Sequence, residues 1–424
     1  MSLAQRLQEI RDGFERPFWI ANISEIFERL SYYGAFSSLA LYLQEKLNFS
    51  TEQTGTLAGM FGGMVWFLAI FGGALADKMG FRRALSLAYL ILATAYFLIG
   101  SIGAAWLDPV RNAVPLSFFV GFILILPALG IALVKPCVVG TTARASQENV
   151  RSIGYSIYYT MVNIGGAAGP YVASWAHRHL GLENVFRVAA LSVFAMFFLV
   201  LLLFREPRRT GEPPPPTFAQ TLRNFVTVLW PPKFLIFLLV FTGYWVVFWQ
   251  QYTSLPGYLH SYVDPNADVE LILVTDGAVV ICFTVLVNLL TRKISAFRAV
   301  ILGTVITSMA WVILAVHPTV WGAVLSLACV ATGEIIQAPR YYEYIAKLAP
   351  ANQQGTYMGF AFLPIGIGSL IGGWFGGKMM HHFGEVRHEP GHAWLAITAI
   401  GLLTAVLLII YDRIVKPEAP PASQ

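Results

Sequence analysis

The sequence predicts an all-α membrane protein in which twelve transmembrane helices form two six-helix bundles related by a pseudo-two-fold axis. Three observations predict it. Hydrophobic residues make up 56% of the 424 positions and charged ones only 12%, with a mean hydropathy of +0.63, whereas a soluble chain carries about 25% charged residues. Twelve apolar segments of spanning length lie near 17–43, 53–76, 83–104, 114–139, 152–175, 185–204, 233–258, 270–290, 297–316, 320–346, 354–379 and 392–412. The second half also repeats the first. Lys135-Pro136 aligns with Ala338-Pro339, Asn149 with Asn352, and Gly165-Gly166 with Gly368-Ser369, all at one offset of 203 residues; Phe81-Arg82 and Phe297-Arg298 match at a slightly longer one.

Before the first span, Met1–Arg16 is polar, with Arg6, Arg11 and Arg16 and no short apolar core ahead of a cleavage site. The first helix is therefore expected to be its own insertion signal. The seventh and eighth spans are the least sharply bounded, because Pro256 and Gly257 interrupt the apolar run. Phe204–Pro232 holds Arg205, Arg208 and Arg209, the run Pro213–Pro216 and a short amphipathic stretch, Phe218–Leu229. Consecutive prolines favour an extended chain without a packed core. The expected organisation is a bundle over 1–204, a cytoplasmic linker over 205–232 and a second bundle over 233–424.

Lys and Arg set the orientation. If the N-terminus is cytoplasmic, 19 of them fall on that side and 6 on the other, so both termini are expected inside, in a multi-pass protein of the cell (inner) membrane. This topology accounts for the net charge of +5, and nucleic-acid binding has no support. His177, His179, His260, His317, His381, His382, His388 and His392 all fall at outer helix ends or loops, where solvated polar ends are the expectation and a pH-sensing or metal role for 381–392 the alternative. Cys137, Cys282 and Cys329 lie in apolar stretches without paired spacing, which indicates neither a disulfide framework nor a metal site. No nucleophile–base pair, metal-ligand cluster or phosphate loop appears in the spans, so an enzyme is not expected, and no large soluble domain is present to make the chain a receptor.

The first span contradicts its own apolarity. Glu25, Glu28 and Arg29 sit in its middle, and a charge at a helix centre costs roughly 2.5–3.5 kcal/mol on insertion scales. Spacings of three and four put all three on one helical face. That face must line a protein interior or a watery cavity, where intramembrane charges mark proton or substrate paths; a purely structural ion pair leaves one Glu unmatched. Lys135 and Glu334 are further intramembrane charges, on the equivalent fourth and tenth helices, and Asp276 is another on the eighth. Arg340 is read as snorkelling or pairing with Glu343.

Between the second and third spans runs Gly73-Ala-Leu-Ala-Asp77-Lys78-Met-Gly80-Phe-Arg82-Arg83. It resembles the G-x-x-x-D-(R/K)-x-G-R-R loop of the major facilitator superfamily. Gly73 would permit close helix contact, Gly80 a tight turn, and Asp77 a cap or pair at a helix end; the loop's expected role is conformational. In the first helix, Glu25-Ile-Phe-Glu28-Arg29-Leu30-Ser-Tyr32-Tyr33-Gly34 is similar to the E-x-x-E-R-F-x-Y-Y-G signature of proton-dependent oligopeptide transporters, with Leu30 in place of Phe. Gly130-Ile-Ala-Leu-Val-Lys135-Pro136, Tyr158-Tyr-Thr-Met-Val-Asn163-Ile-Gly165, and Gly333-Glu334 with Pro339 and Ala349-Pro350 are similar to that family's motifs on helices four, five and ten. Besides Leu30, three positions depart, one of them Asp276, which stands where the family usually has Asn. Tyr244-Trp245-Val-Val-Phe-Trp249-Gln250 lacks the family's helix-seven acid, and Trp66 stands where helix two has Tyr. The linker is also too short for the two extra helices common in bacterial members.

The resemblance implies a major facilitator fold with the site near the midplane between the halves. It implies a proton-coupled symporter importing di- or tripeptides or similar zwitterions by alternating access. Glu25, Glu28, Arg29 and Lys135 would couple protons, and protonation of Glu25 or Glu28 would free Arg29 for a substrate carboxylate. Arg29, Tyr32, Tyr33, Trp66, Lys135, Asn163, Trp245, Asp276 and Glu334 would contact substrate, with the carboxylate near Arg29 and Lys135 and the amine near Glu334. Tyr155 and Trp249 are further candidate pocket walls. Lys135 and Glu334 would also form a gate by attracting each other in the empty site. Protons would be the coupling ion, no cofactor is implied, and a monomer in the lipid bilayer is expected. The alternative is a proton-coupled carrier, importing or exporting, of a sugar, nitrate, siderophore fragment or drug.

Overall fold

The computed structural model describes residues 13–207, 220, 223, 232–349 and 354–415. Arg6, Arg11, Pro350, Asn352, Lys416 and most of the expected linker lie outside the described residues. Each expected span is helical: α1 (Arg16–Leu41), α2 (Thr51–Met79), α3 (Phe81–Ile99), α4 (Leu116–Arg144), α5 (Arg151–Leu180) and α6 (Leu182–Leu203), then α7 (Pro232–Phe248), α8 (Val269–Thr291), α9 (Ala296–Val316), α10 (Val320–Leu348), α11 and α12 (Gly391–Ile414). α11 is in two pieces, Gln354–Phe360 and Leu363–Met379. The sequence reading missed that break. Its cause is Pro364, which sits in the first turn of the second piece and has no N–H to continue the helix from the first. After α7, short helical turns lead to Val263 through Pro256, where the apolar run was expected to falter.

Local chemistry sets several ends. Ser50 and Gln53 form a reciprocal capping box on α2, and Asp268 and Thr319 accept backbone N–H groups at the starts of α8 and α10. Gly80 (φ 82°) and Gly181 (φ 96°) turn the chain between α2 and α3 and between α5 and α6 without a loop, a conformation that favours glycine. Among the described residues nine helices are long and apolar enough to cross a membrane, or ten with the bent α2 counted. α1 and α5 fall short. α1 carries the charged triad, which neighbouring helices bury, whereas α5 has a polar sequence that includes Ser152, Ser156, Thr160 and Asn163, of which the first three are exposed.

The packing is two-fold in pattern. In the first half α1 packs on α5 and α6, α2 on α4, and α3 on α4 and α6. In the second, α7 packs on α11 and α12, α8 on α10, and α9 on α10 and α12. The halves meet along two equivalent seams, α2–α11 and α5–α8. We call the end of the molecule at which α1 begins and α12 ends the terminal end and the other the distal end. The α2–α11 seam is closed by small residues: a Cβ on Gly59 would lie 2.6 Å from Ser369 O, and one on Gly63 2.7 Å from Gly366 O. The α5–α8 seam is closed distally, where Ser174 is 1% exposed, and loosens toward the terminal end, where Tyr155 and Tyr159 are 40% and 55% exposed.

Candidate functional site

α1 presents its charged face to the interior of the first half. Glu25 and Glu28 are fully buried and Arg29 is 1% exposed. Arg29 Nε lies 2.5 Å from Glu28 Oε2 and 3.6 Å from Glu25 Oε1. Gly165 of α5 makes the room, since a Cβ there would meet Arg29 Cβ at 2.8 Å. The triad is under-bonded. Both oxygens of Glu25, Oε1 of Glu28 and Nη2 of Arg29 have no hydrogen-bond partner among the described residues, and such groups are costly to bury unpaired.

Lys135 of α4 completes this cluster. It is within electrostatic reach of Arg29, Glu25 and Glu28. Its Nζ stands 3.7 Å from the Trp66 ring centroid and 5.7 Å from that of Phe362, with the two rings 5.5 Å apart. Among the described residues it has no ion pair. Phe362, at the break in α11, belongs to the opposite half, so the lysine is held by an aromatic clamp built across the α2–α11 seam. A cation over a desolvated ring is stabilised by about 2 kcal/mol.

The second half contributes acids alone. Glu334 of α10 lies within electrostatic reach of Asp276 of α8, and neither has an ion pair among the described residues. Asp276 Oδ1 is buried without a partner. Glu334 lines a cavity of about 230 Å³ with Tyr159, Thr284, Asn288, Pro339 and Tyr342. Tyr33 is within electrostatic reach of both groups, Arg29 and Glu28 of the first half and Glu334 and Asp276 of the second. The structure thus brings Glu25, Glu28, Arg29, Tyr33, Trp66, Lys135, Asp276 and Glu334 around one interior region.

Several expectations are corrected. Lys135 and Glu334 are not joined as a gate: among the described residues no ion pair links them, the lysine lies against Trp66 and Phe362, and Glu334 is within electrostatic reach of Asp276. Tyr32 does not face the cavity. It is fully buried and stacked on Phe61 at 5.5 Å, because one residue along a helix turns it about 100° from Tyr33. Trp245 is 8% exposed and wedged among Tyr244, Phe248 and Trp249, against α11 at Gly368. Trp249, also a candidate wall, is 1% exposed and donates Nε1–H to Ile365 O at 3.1 Å. Asn163 donates to Tyr159 O within its own helix at 2.9 Å, one turn from the cavity. Arg340 pairs with Glu343 at 2.8 Å, as expected.

In the α2–α3 loop, Asp77 pairs with Arg144 at 3.2 Å, and Arg144 lies 4.3 Å from the Phe81 ring. Arg82 donates to Leu201 O at 2.7 Å. Arg83 lines the same surface depression. The glycine that α4 requires is Gly72, whose Cβ would clash with the Ala132 backbone; Gly73 would meet Pro136 at an ordinary 3.7 Å. Glu206 was missed. It accepts from the backbone N–H groups of Phe81 at 2.7 Å and Arg82 at 2.9 Å. The available signal was an acid just after α6, near a helix start whose N–H groups need an acceptor.

The histidines are not uniformly solvated ends. His177 Nδ1 lies 3.0 Å from Glu270 Oε1, and His260 Nε2 lies 3.5 Å from Glu45. His381 and His392 pair separately with Glu385 and Glu389. Among the described residues no group of three potential ligands could hold a metal ion.

The family model described as "Major Facilitator Superfamily" matches residues 22–363. The chain belongs to the Major Facilitator Superfamily. This superfamily member is 23% identical over 389 residues to the multidrug resistance protein MdtH of Edwardsiella ictaluri (strain 93-146), covering 89% of this chain and 90% of that one. It is 22% identical over 394 residues to MdtH of Aeromonas salmonicida (strain A449), covering 92% and 94%. Its fold matches a crystal structure of a POT family transporter in complex with 5-aminolevulinic acid, with TM-score 0.76, 15% identity and coverage of 94% and 96%. It also matches peptide transporter POT in complex with sulfate, with TM-score 0.74, 18% identity and coverage of 96% and 99%. The nucleoside transporter NupG superposes equally well, with TM-score 0.77, 13% identity and coverage of 93% and 99%. This superfamily member is accordingly a multi-pass transporter and not an enzyme.

Proposed function

We propose that this transporter couples proton movement to the import of a small zwitterion, of which a di- or tripeptide is the leading case, by alternating access. One observation carries the reading. Among the described residues the first half offers a cation without an ion pair, Lys135, beside an under-bonded Glu25–Glu28–Arg29 triad, and the second offers two acids without an ion pair, Asp276 and Glu334; Tyr33 is within electrostatic reach of both groups. A solute carboxylate suits Lys135 and Arg29, and a solute amine suits Glu334 and Asp276. A proton on Glu25 or Glu28 releases Arg29 from its pair.

The Lys and Arg asymmetry supports a cytoplasmic terminal end in an inner membrane. The two seams support halves 1–204 and 233–424 that rock as units about the linker over 205–232. A monomer holds the whole site, and protons are the coupling ion with no cofactor. Uptake into proteoliposomes driven by an inward proton gradient tests the reading. Glu25→Gln, Lys135→Ala and Glu334→Gln should each reduce it at least tenfold; uptake equal to wild type in all three rejects the assigned roles.

A second reading has its own support. Among the described residues the acids of the second half have no ion pair, Tyr159 and Tyr342 line the cavity at Glu334, and the relatives at 22–23% identity are named for multidrug resistance. These features suit export of a lipophilic organic cation. Competition by a panel of dipeptides against a panel of such cations separates the two.

A further inference from the structure

The two seams that close the distal end are related by the pseudo-two-fold but differ in chemistry. The α2–α11 seam is packed through glycines and one serine, Ser369, which donates to Gly59 O at 3.0 Å; none of these groups titrates. The α5–α8 seam is ionic. Glu270, in the first turn of α8, is 1% exposed. Its Oε1 accepts from Ser38 Oγ of α1 at 2.8 Å and faces His177 Nδ1 of α5 at 3.0 Å. Beside it Asp268 accepts from Ser174 Oγ at 2.7 Å and faces Arg178 Nε at 3.4 Å. Every one of these contacts crosses from the first half to the second.

We propose that His177 and Glu270 form a proton-binding site in the α5–α8 seam, separate from the α1 cluster, and that a proton bound there holds the distal end closed. With the seam closed, an imidazolium at His177 donates a charge-assisted bond to a carboxylate that water does not reach. Such bonds are about twice as strong as neutral ones, and with the Glu270 side chain 2% exposed and that of His177 32%, the carboxylate side of the pair is shielded from the screening that weakens exposed pairs. When the seam parts, both groups gain water and the advantage of the charged imidazole goes. The closed state therefore binds the proton more tightly than the open one, and by linkage the proton favours closure.

The remaining charged groups around His177 keep that sign. Glu45, after α1, and Asp268 are both within electrostatic reach of it. Glu45 is partly matched by His260 and Asp268 by Arg178. Glu385, with Thr51 and His381, also bridges the halves, but its side chain is 41% exposed. Solvent screening makes such a pair a weak lock.

The test uses full-length protein in lipid nanodiscs, without cargo or gradient, so its outcome is independent of the transport reading. Spin labels go on Leu180→Cys and Asn266→Cys, two exposed distal positions on opposite halves, after Cys137, Cys282 and Cys329 are replaced. The short-distance population should fall as pH rises through the imidazole range. The closed-to-open ratio should change about tenfold, equivalent to about 1.4 kcal/mol. His177→Gln and Glu270→Gln, which keep a hydrogen bond but not the charge pair, should each remove this dependence, and His260→Gln should leave it. A wild-type distribution indifferent to pH overturns the proposal. So does a pH dependence that survives in either His177→Gln or Glu270→Gln.

Discussion

Removing the charge of Lys135 is the most informative perturbation of the interior. With all four groups ionised, Glu25, Glu28, Arg29 and Lys135 sum to zero, and Lys135 reaches that balance without a direct ion pair. Lys135→Gln has two consequences that can be separated. It forfeits the contact with Trp66 at 3.7 Å and Phe362 at 5.7 Å, about 2 kcal/mol for a desolvated cation over rings. It also leaves one carboxylate of the α1 cluster uncompensated; breaking a direct buried pair costs about 3–5 kcal/mol, and because Lys135 makes no direct pair the cost here stays below that figure. The second cost disappears if that carboxyl takes up a proton. The destabilisation should thus be about 2 kcal/mol at acid pH and grow as pH rises. Glu25→Gln in the same chain restores neutrality and should flatten this dependence, making the double variant more stable at alkaline pH than Lys135→Gln alone. Thermal unfolding of the purified proteins at pH 5.5 and pH 8.5 reads both effects. A destabilisation that is the same at both pH values and indifferent to Glu25→Gln would refute the charge balance.

Three further outcomes follow from the packing. Gly59→Leu places a side chain where even a Cβ lies 2.6 Å from Ser369 O; overpacking costs about 1–3 kcal/mol, and labels across the α2–α11 seam should report a parted distal end with uptake lost. Glu206→Ala leaves the Phe81 and Arg82 N–H groups without their acceptor and should lower stability by about 1–2 kcal/mol, as for other lost N-terminal acceptors, in thermal unfolding. Trp66→Phe should retain most of the cation clamp and most of the uptake, while Trp66→Ala loses both; equal uptake by the two would show that the ring does not hold Lys135.

The helix count, the repeat and the charged face of α1 were legible because each rests on short-range order. Apolar length marks a span, and a spacing of three or four marks a face. The reading that Glu25, Glu28 and Arg29 share one side of a helix needed no knowledge of any neighbour. The partner of Lys135 was a different kind of question. Lys135 and Glu334 occupy equivalent helices, and charge alone suggested that they attract each other. The lysine instead lies against Trp66 and Phe362, the latter at the break in α11. His177 was read as a solvated end and Glu270 was not singled out for the same reason. They are 93 residues apart, and the pairing exists only because α5 and α8 form a seam.

By itself the sequence determined the class of the protein, the number of its helices, their duplication and the presence of charges that lipid cannot accept. These follow from the solvation of residues within one helix, and every copy of the helix carries them wherever it packs. The tertiary structure decided which charges are matched, which tyrosine of Tyr32 and Tyr33 faces the interior, that Gly72 rather than Gly73 meets α4, and that one seam closes on glycine and the other on an ion pair. Those outcomes depend on the rotation and register of one helix against another. Close packing sets both through contacts of a few ångströms between residues far apart in the chain.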